Sequence, residues 1–178
     1  MGRPKALLEY RGATFLDTLI GLFSAHGSPV VVVLGAAAEE IRAGTTRPAT
    51  FVLNRDYARG QTSSMQCGLR AVPAESEGVL FTLVDHPAAS AATIDALLGG
   101  AGFQALLRVP RYRGLRGHPI WFSRELIAEF LALPEGGAAR DVVRRHADET
   151  EFLDLDDPGI VADIDDPAAY ERLRGATP

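Results

Sequence analysis

The chain holds one cysteine, Cys67, among its 178 residues, so no internal disulfide can form. It also lacks an excess of positive charge: 18 Lys and Arg stand against 23 Asp and Glu, a formal charge of -5. Nucleic acid and anionic membrane are bound through a basic field. Neither is therefore an expected partner, and any anionic ligand must be held by local groups. Long apolar runs are missing too. PVVVVLG falls far short of the roughly 20 apolar residues of a membrane-spanning helix. No charged segment followed by an apolar one opens the chain in the manner of a secretory signal, and the expectation is a cytoplasmic protein. His26, His86 and His146 have no spacing that suggests a zinc site, and no serine sits in a G-x-S-x-G elbow.

What is present is 47% hydrophobic residues, enough for the core of one domain spanning residues 1–178. Helical and extended patterns alternate, which indicates βαβ units and a mostly parallel sheet. Thr14, three residues before Asp17, starts a helix through Phe15, Leu16, Leu19, Ile20 and Phe23 that stops near Gly27. Pro29 to Gly35 reads as a central strand covered on both faces. AAAEEIRAG is a helix, TFVLN a strand, SSMQCGLRAV a helix, and GVLFTLVD a third buried strand. SAATIDALLGG is helical, QALLRVPRY extended, and HPIWFSRELIAEFLAL a strand turning into a helix. GAARDVVRRHA is helical, EFLDL and IVADID are short strands, and DPAAYERL is a terminal helix.

In open α/β sheets, ligands bind beyond the carboxyl ends of strands. Asp85 ends the run GVLFTLVDHP, where an ionised carboxylate needs a positive partner. A hard cation such as Mg²⁺, with oxygen ligands and substrate phosphates around it, meets that need; a plain cap of the next turn is the competing reading. In VADIDDPAAY, alternation puts Asp163 and Asp165 on one side of an extended segment, able to add a second carboxylate. An Asx turn is the alternative there, and Asp166 before Pro167 suits a helix cap. After TFVLN, Gly60 permits close backbone approach, and Ser63 or Ser64 stands at a helix mouth where free N–H groups can hold a polar base or phosphate. An ordinary serine cap would look the same. YRGLRGHPIWF gathers Arg113, Arg116 and His118, with Gly114 and Gly117 permitting tight turns. The two guanidinium groups suit phosphate or a planar polar ring, or form a solvated basic hairpin. MGRPK reads as the end of a phosphate-cradling loop, with Gly2 and Lys5.

Taken in order, MGRPKALLEYRG, VVVVLG, VLNRDYARGQTSSMQCGL, LFTLVDHP, VPRYRGLRGHPIWFS, GGAARDVV and VADIDDPAAYERL resemble the MobA-like nucleotidyltransferase family, in its molybdenum cofactor cytidylyltransferase branch. The resemblance implies an α/β fold, a three-layer α/β/α sandwich of the nucleotide-diphospho-sugar transferase type with a Rossmann-like sheet. It implies Mg²⁺-assisted transfer of CMP from CTP to a molybdopterin-type acceptor, with release of pyrophosphate, and a molybdenum hydroxylase as recipient of the product. Carried onto this chain, Lys5 and Asp85 are the catalytic pair. Gly2, Lys5, Asn54, Gly60, Ser63 and Ser64 form the nucleotide site, Ser64 in a Ser-x-x-x-Gly-Leu pattern ending at Gly68 and Leu69. Asp85, with Asp163 or Asp165, holds the metal, and Arg113, Arg116, Gly117, His118 and Pro119 face the acceptor. Another NTP or acceptor stays open, as does a noncatalytic cofactor-binding chaperone. An NAD(P)H-dependent oxidoreductase of a small aromatic, known among MobA-like relatives, is a further alternative, although the glycine-rich dinucleotide fingerprint is absent.

One departure concerns the front. The family begins with an apolar strand and a loop L-A-A-G-x-S-x-R-M-G, of which Met1 and Gly2 alone stand here. That strand is central in the fold. Without it, its two neighbours are expected at about twice the usual 4.8 Å spacing, with unpaired backbone and apolar surface between them. Met1 is expected to be an internal methionine taken for the initiator, the alternative being a true truncation with impaired folding and nucleotide binding.

Overall fold

The structure, a computed structural model, describes residues 3–99 and 104–175. Gly2, expected in the nucleotide site, lies outside the described residues. After a short hairpin of β1 (Glu9–Tyr10) and β2 (Ala13–Thr14), the Thr14 hydroxyl accepts the Asp17 N–H at 3.0 Å and starts α1 (Phe15–Ser24). The capping box is not reciprocal, because the Asp17 carboxylate turns away to Thr46 and Arg47. β3 (Val31–Leu34), α2 (Ala38–Gly44) and β4 (Thr50–Leu53) make a βαβ unit whose strands run parallel, from Val31 opposite Thr50 to Leu34 opposite Leu53. Then follow α3 (Gln61–Leu69), β5 (Gly78–Phe81), α4 (Ala91–Leu98), β6 (Leu107–Tyr112), β7 (Leu115–Arg116) and β8 (Ile120–Ser123). α5 (Ile127–Leu131), α6 (Ala139–Arg145), β9 (Thr150–Asp154) and α7 (Pro167–Gly175) complete the order.

Apart from the β1–β2 hairpin, the strands of the described residues form two sheets, not one. β3 pairs with β4 alone, while the second sheet runs β5, β8, β6, β7 with β9 alongside β6. β8 is antiparallel to both β5 and β6, so β5 and β6 point the same way, and β9 joins them parallel to β6. The main strands of the larger sheet are thus co-directional except for β8. Period-two alternation divides the helices between two faces. Val79 and Phe81 pack with Met65 and Leu69 of α3, Phe130 of α5 and Val142 of α6. Leu80, between them, packs with Leu19 and Phe23 of α1 and Ile94 of α4. This is a three-layer α/β/α sandwich. β3 repeats the pattern: Val32 and Leu34 meet α1, while Val33 lies against Gly68 of α3.

The prediction that β3 is paired on both sides is not met. β3 and β5 are both sheet edges, and both line a slot of about 560 Å³ that also reaches residues of α1 and α3. Val31, Val33, Leu80 and Phe81 are among its walls. Among the described residues the facing edges of β3 and β5 are thus unpaired, and the slot between them is lined mainly by apolar side chains. Two other elements differ from the sequence reading. β5 ends at Phe81 rather than Asp85, because Phe81 pairs with Ile120 and the next partner residue, Pro119, has no N–H to offer. IVADID is not a strand: Pro158–Val161 form a 3-10 turn whose start is held by the Asp157 carboxylate on the Gly159 N–H at 2.9 Å. Among the described residues no helix is long and apolar enough to cross a membrane.

Candidate functional site

Two polar clusters form where the strands end. The first grows from β4. Asn54, the residue after it, is 5% exposed, and its amide donates to both Ser63 Oγ (2.9 Å) and Ser64 Oγ (3.0 Å). Its carbonyl accepts the Asp56 N–H at 3.0 Å, closing the loop on itself. Gly60 precedes α3 with φ 99, a left-handed conformation that glycine adopts without strain. Ser63 donates to the Gly60 carbonyl at 2.7 Å. Asn54, Gly60, Ser63 and Ser64 are thus one hydrogen-bonded unit at the mouth of α3. Ser64 lines the slot between the sheets, whereas Ser63 faces a separate cleft of about 360 Å³ with Arg55, Arg59 and Gln66.

The second cluster stands beyond β5. The Ile164 N–H donates to the Asp85 backbone carbonyl at 3.1 Å and lays the DIDD segment beside the start of the DHP segment. Ile164 is 2% exposed. Its burial turns Asp163 and Asp165 outward together, so the period-two reading of these two residues holds without a strand. Lys5 reaches both carboxylate segments: its Nζ lies 2.6 Å from Asp165 Oδ1 and 3.5 Å from Asp85 Oδ2. Burial works to lower the Lys5 pKa, but the hydrogen bond to Asp165 and the charge of Asp85 outweigh it, and the group stays raised and charged. Asp163 is pushed above the ordinary carboxylate value by burial and then by the charge of Asp85. Asp165 is held below it, chiefly by the hydrogen bond and charge of Lys5.

A divalent cation fits this donor set. Asp85 Oδ1 is buried with no hydrogen-bond partner, and one donor atom each from Asp85, His86 and Asp163 can be chosen within 4.8 Å of one another. Crowded carboxylates with an orphaned oxygen are groups that a cation relieves. His86 was the omission of sequence reasoning, which sought metal spacing among distant histidines. The available signal was its position next to an acidic residue at a strand end.

The RGHP segment divides. Arg113 and Gly114, both at positive φ (50 and 80), make the two-residue turn between β6 and β7. Arg113 lies over the Tyr112 ring and Arg116 over the Phe152 ring, both side chains on exposed residues of this hairpin. Gly117 is buried so tightly that a Cβ there would lie 2.5 Å from the Ile160 carbonyl oxygen. The His118 N–H donates to that same carbonyl at 2.8 Å. His118 then reaches the second cluster, its ring centroid 4.7 Å from that of His86. Burial, followed by the neighbouring His86, lowers its pKa to about 4, so the ring is neutral near neutral pH. Pro119 is buried behind it, after a cis peptide bond. The structure therefore joins Lys5, Asp85, Asp163, Asp165 and His118 in one cluster and leaves Arg113 and Arg116 on the hairpin.

Comparison with known proteins gives a consistent picture. The model of the MobA-like NTP transferase domain matches residues 1–150. The nicotine blue oxidoreductase of Paenarthrobacter nicotinovorans is 32% identical, over 97% of this chain and 89% of its own. The molybdenum cofactor cytidylyltransferase of Escherichia coli K12 is 25% identical, over 94% of this chain and 85% of its own. Among solved structures, Rv0371c of Mycobacterium tuberculosis H37Rv superposes with a TM-score of 0.84 at 28% identity, covering 99% of this chain and 91% of its own. A second structure of Rv0371c, a complex with manganese, has a TM-score of 0.78 at 26% identity, covering 97% and 92%.

Proposed function

The chain belongs to the MobA-like NTP transferase family, and from that premise we propose that it transfers CMP from CTP to a molybdopterin-type acceptor with the help of Mg²⁺ or a similar ion. The observation that carries the reading is the Lys5 ammonium set between Asp85 and Asp165 at the carboxyl end of β5. A cation site and a fixed positive charge side by side are what a triphosphate needs. The reaction asks for little covalent chemistry from the protein, since a terminal phosphate oxygen of the acceptor attacks the α-phosphorus and the bond to the β-phosphate breaks. No activated serine or cysteine is required.

Asp85 and Asp163 would hold the ion, which when bound supplies neutralisation of charge on the leaving pyrophosphate. Lys5 adds a second positive charge to the same oxygens once the triphosphate displaces its contact with Asp165. Asn54 fixes the hydroxyl groups of Ser63 and Ser64, which face different clefts, and Ser64 would be the one to approach a polar base. The neutral His118 ring, at the start of the hairpin side, offers a hydrogen-bonding group to the acceptor without adding charge. Pyrophosphate release measured with CTP, GTP and ATP, with and without molybdopterin, tests the proposal. Release that requires both CTP and molybdopterin supports it; a folded chain that releases none with any triphosphate overturns it. Asp85→Ala is expected to lower the rate at least a hundredfold while leaving the circular dichroism spectrum unchanged.

A second reading rests on similarity: of the two enzymes compared, the oxidoreductase is the more identical. Oxidation of NAD(P)H in the presence of nicotine blue, without any nucleotide transfer, would favour it.

A further inference from the structure

We infer that His86 is a ligand of the divalent ion, giving this site a nitrogen donor beside its carboxylates and a preference for Mn²⁺ or a similar transition ion over Mg²⁺. The inference rests on the reading above that a cation binds between Asp85 and Asp163. Three observations carry it. His86 is 9% exposed, and its Nδ1 is buried with no hydrogen-bond partner. A buried polar atom left in that state is costly and calls for a partner. The neighbouring Asp85 has an orphaned oxygen of its own, so two unpartnered donor atoms belong to adjacent residues. Finally, one donor atom each from His86, Asp85 and Asp163 can be chosen with all three within 4.8 Å of one another.

That spacing is close to a coordination sphere. Donors on opposite sides of an ion at about 2.1 Å are about 4.2 Å apart, so small side-chain rotations suffice. The imidazole lies against the ring of His118 at 4.7 Å between centroids, and the residue itself is fixed by its backbone N–H, which donates to the Leu83 carbonyl at 3.2 Å in the turn that follows β5. The choice of ion follows from the donors. Mg²⁺ is a hard ion that prefers oxygen and keeps its waters. An imidazole nitrogen raises affinity for first-row transition ions, in the order set by their softness and ligand-field strength. A site of two carboxylates and one imidazole therefore discriminates where a site of carboxylates alone would not.

The test uses the full chain and Mn²⁺ itself. Free Mn²⁺ is titrated by electron paramagnetic resonance, with Mg²⁺ as competitor, in the presence and absence of CTP. Electron spin echo modulation of the bound ion then reports whether a nitrogen is coordinated. Binding of Mn²⁺ at least about tenfold tighter than Mg²⁺, with a directly bound nitrogen that changes on labelling the histidines with ¹⁵N, is the expected result. His86→Gln should remove the nitrogen signal and weaken Mn²⁺ at least about tenfold, with Mg²⁺ binding little altered. His118→Gln should keep the signal. Mn²⁺ bound without coordinated nitrogen overturns the role of His86 and leaves the cation site standing. Nitrogen coordination that survives His86→Gln overturns it as well. No binding of either ion, with or without CTP, overturns the cation reading together with this one. If His86→Gln does not fold, the labelled unaltered chain together with folded His118→Gln decides: a signal retained by the latter supports His86, and one lost from it overturns the assignment.

Discussion

At the scale of single residues, the buried carboxylate of Asp17 shows how a sequence signal can be right in part. Thr14 caps α1 as its spacing from Asp17 suggests, but the acidic side chain serves a different segment. It is 3% exposed and accepts the Arg47 N–H at 2.9 Å, the Thr46 N–H at 3.0 Å and the Thr46 hydroxyl at 2.9 Å. Burial pushes this carboxyl up, yet the bonds from Arg47 and Thr46 outweigh it and hold its pKa below the ordinary carboxylate value. A depressed carboxylate stabilises the fold fully above its unfolded value, and the contribution is lost as pH falls through the folded value. Asp17→Ala is expected to cost about 3 kcal/mol near neutral pH. Urea titrations repeated toward pH 3 should show the variant losing less on acidification than the parent. Equal losses in the two proteins would separate Asp17 from the acid sensitivity.

At the scale of elements, the useful departures come where a segment is extended without being a strand. IVADID lacks a ladder because Pro158 and the Asp157 cap wind its start into a 3-10 turn. One backbone bond, from Ile164 to Asp85, is enough to align its acidic residues. The stretch from Gly117 to Pro119 is similar: it connects β7 to β8 while its backbone is fastened to the turn at Ile160. Gly117 is the point of closest approach. A methyl group there would meet the Ile160 carbonyl oxygen at 2.5 Å and the Ile160 Cβ at 2.7 Å. Gly117→Ala is expected to lose about 1–3 kcal/mol, the usual cost of overpacking, visible as a lower urea midpoint. The same shift should displace His118 from His86. Retention of parental stability in Gly117→Ala would contradict this account of the connection.

At the scale of the whole molecule, the dominant feature is the slot of about 560 Å³ between the two sheets. β3 and β5 present open edges to it, and open apolar edges invite another strand. The expected consequence is strong enhancement of fluorescence from an apolar dye such as anilinonaphthalene sulfonate. A separate apolar peptide of about six residues should add to these edges, reduce that fluorescence and raise the urea midpoint. A peptide interrupted by prolines should do neither, since each proline removes a ladder donor. Much of this architecture is legible along the chain. Helix α1 and its cap, the apolar runs that become β3 and β5, and Asp85 after such a run all follow from local composition, periodicity and residues within a few positions of each other. Those are local rules, and the sequence by itself determined what they govern. The site is of another kind. Lys5 and Asp165 are 160 positions apart and end 2.6 Å from one another, and His86 acquires Asp163 as a neighbour. A carboxylate or imidazole becomes a ligand through the groups around it in space, and the topology that assembles those groups is decided by the packing of the sandwich.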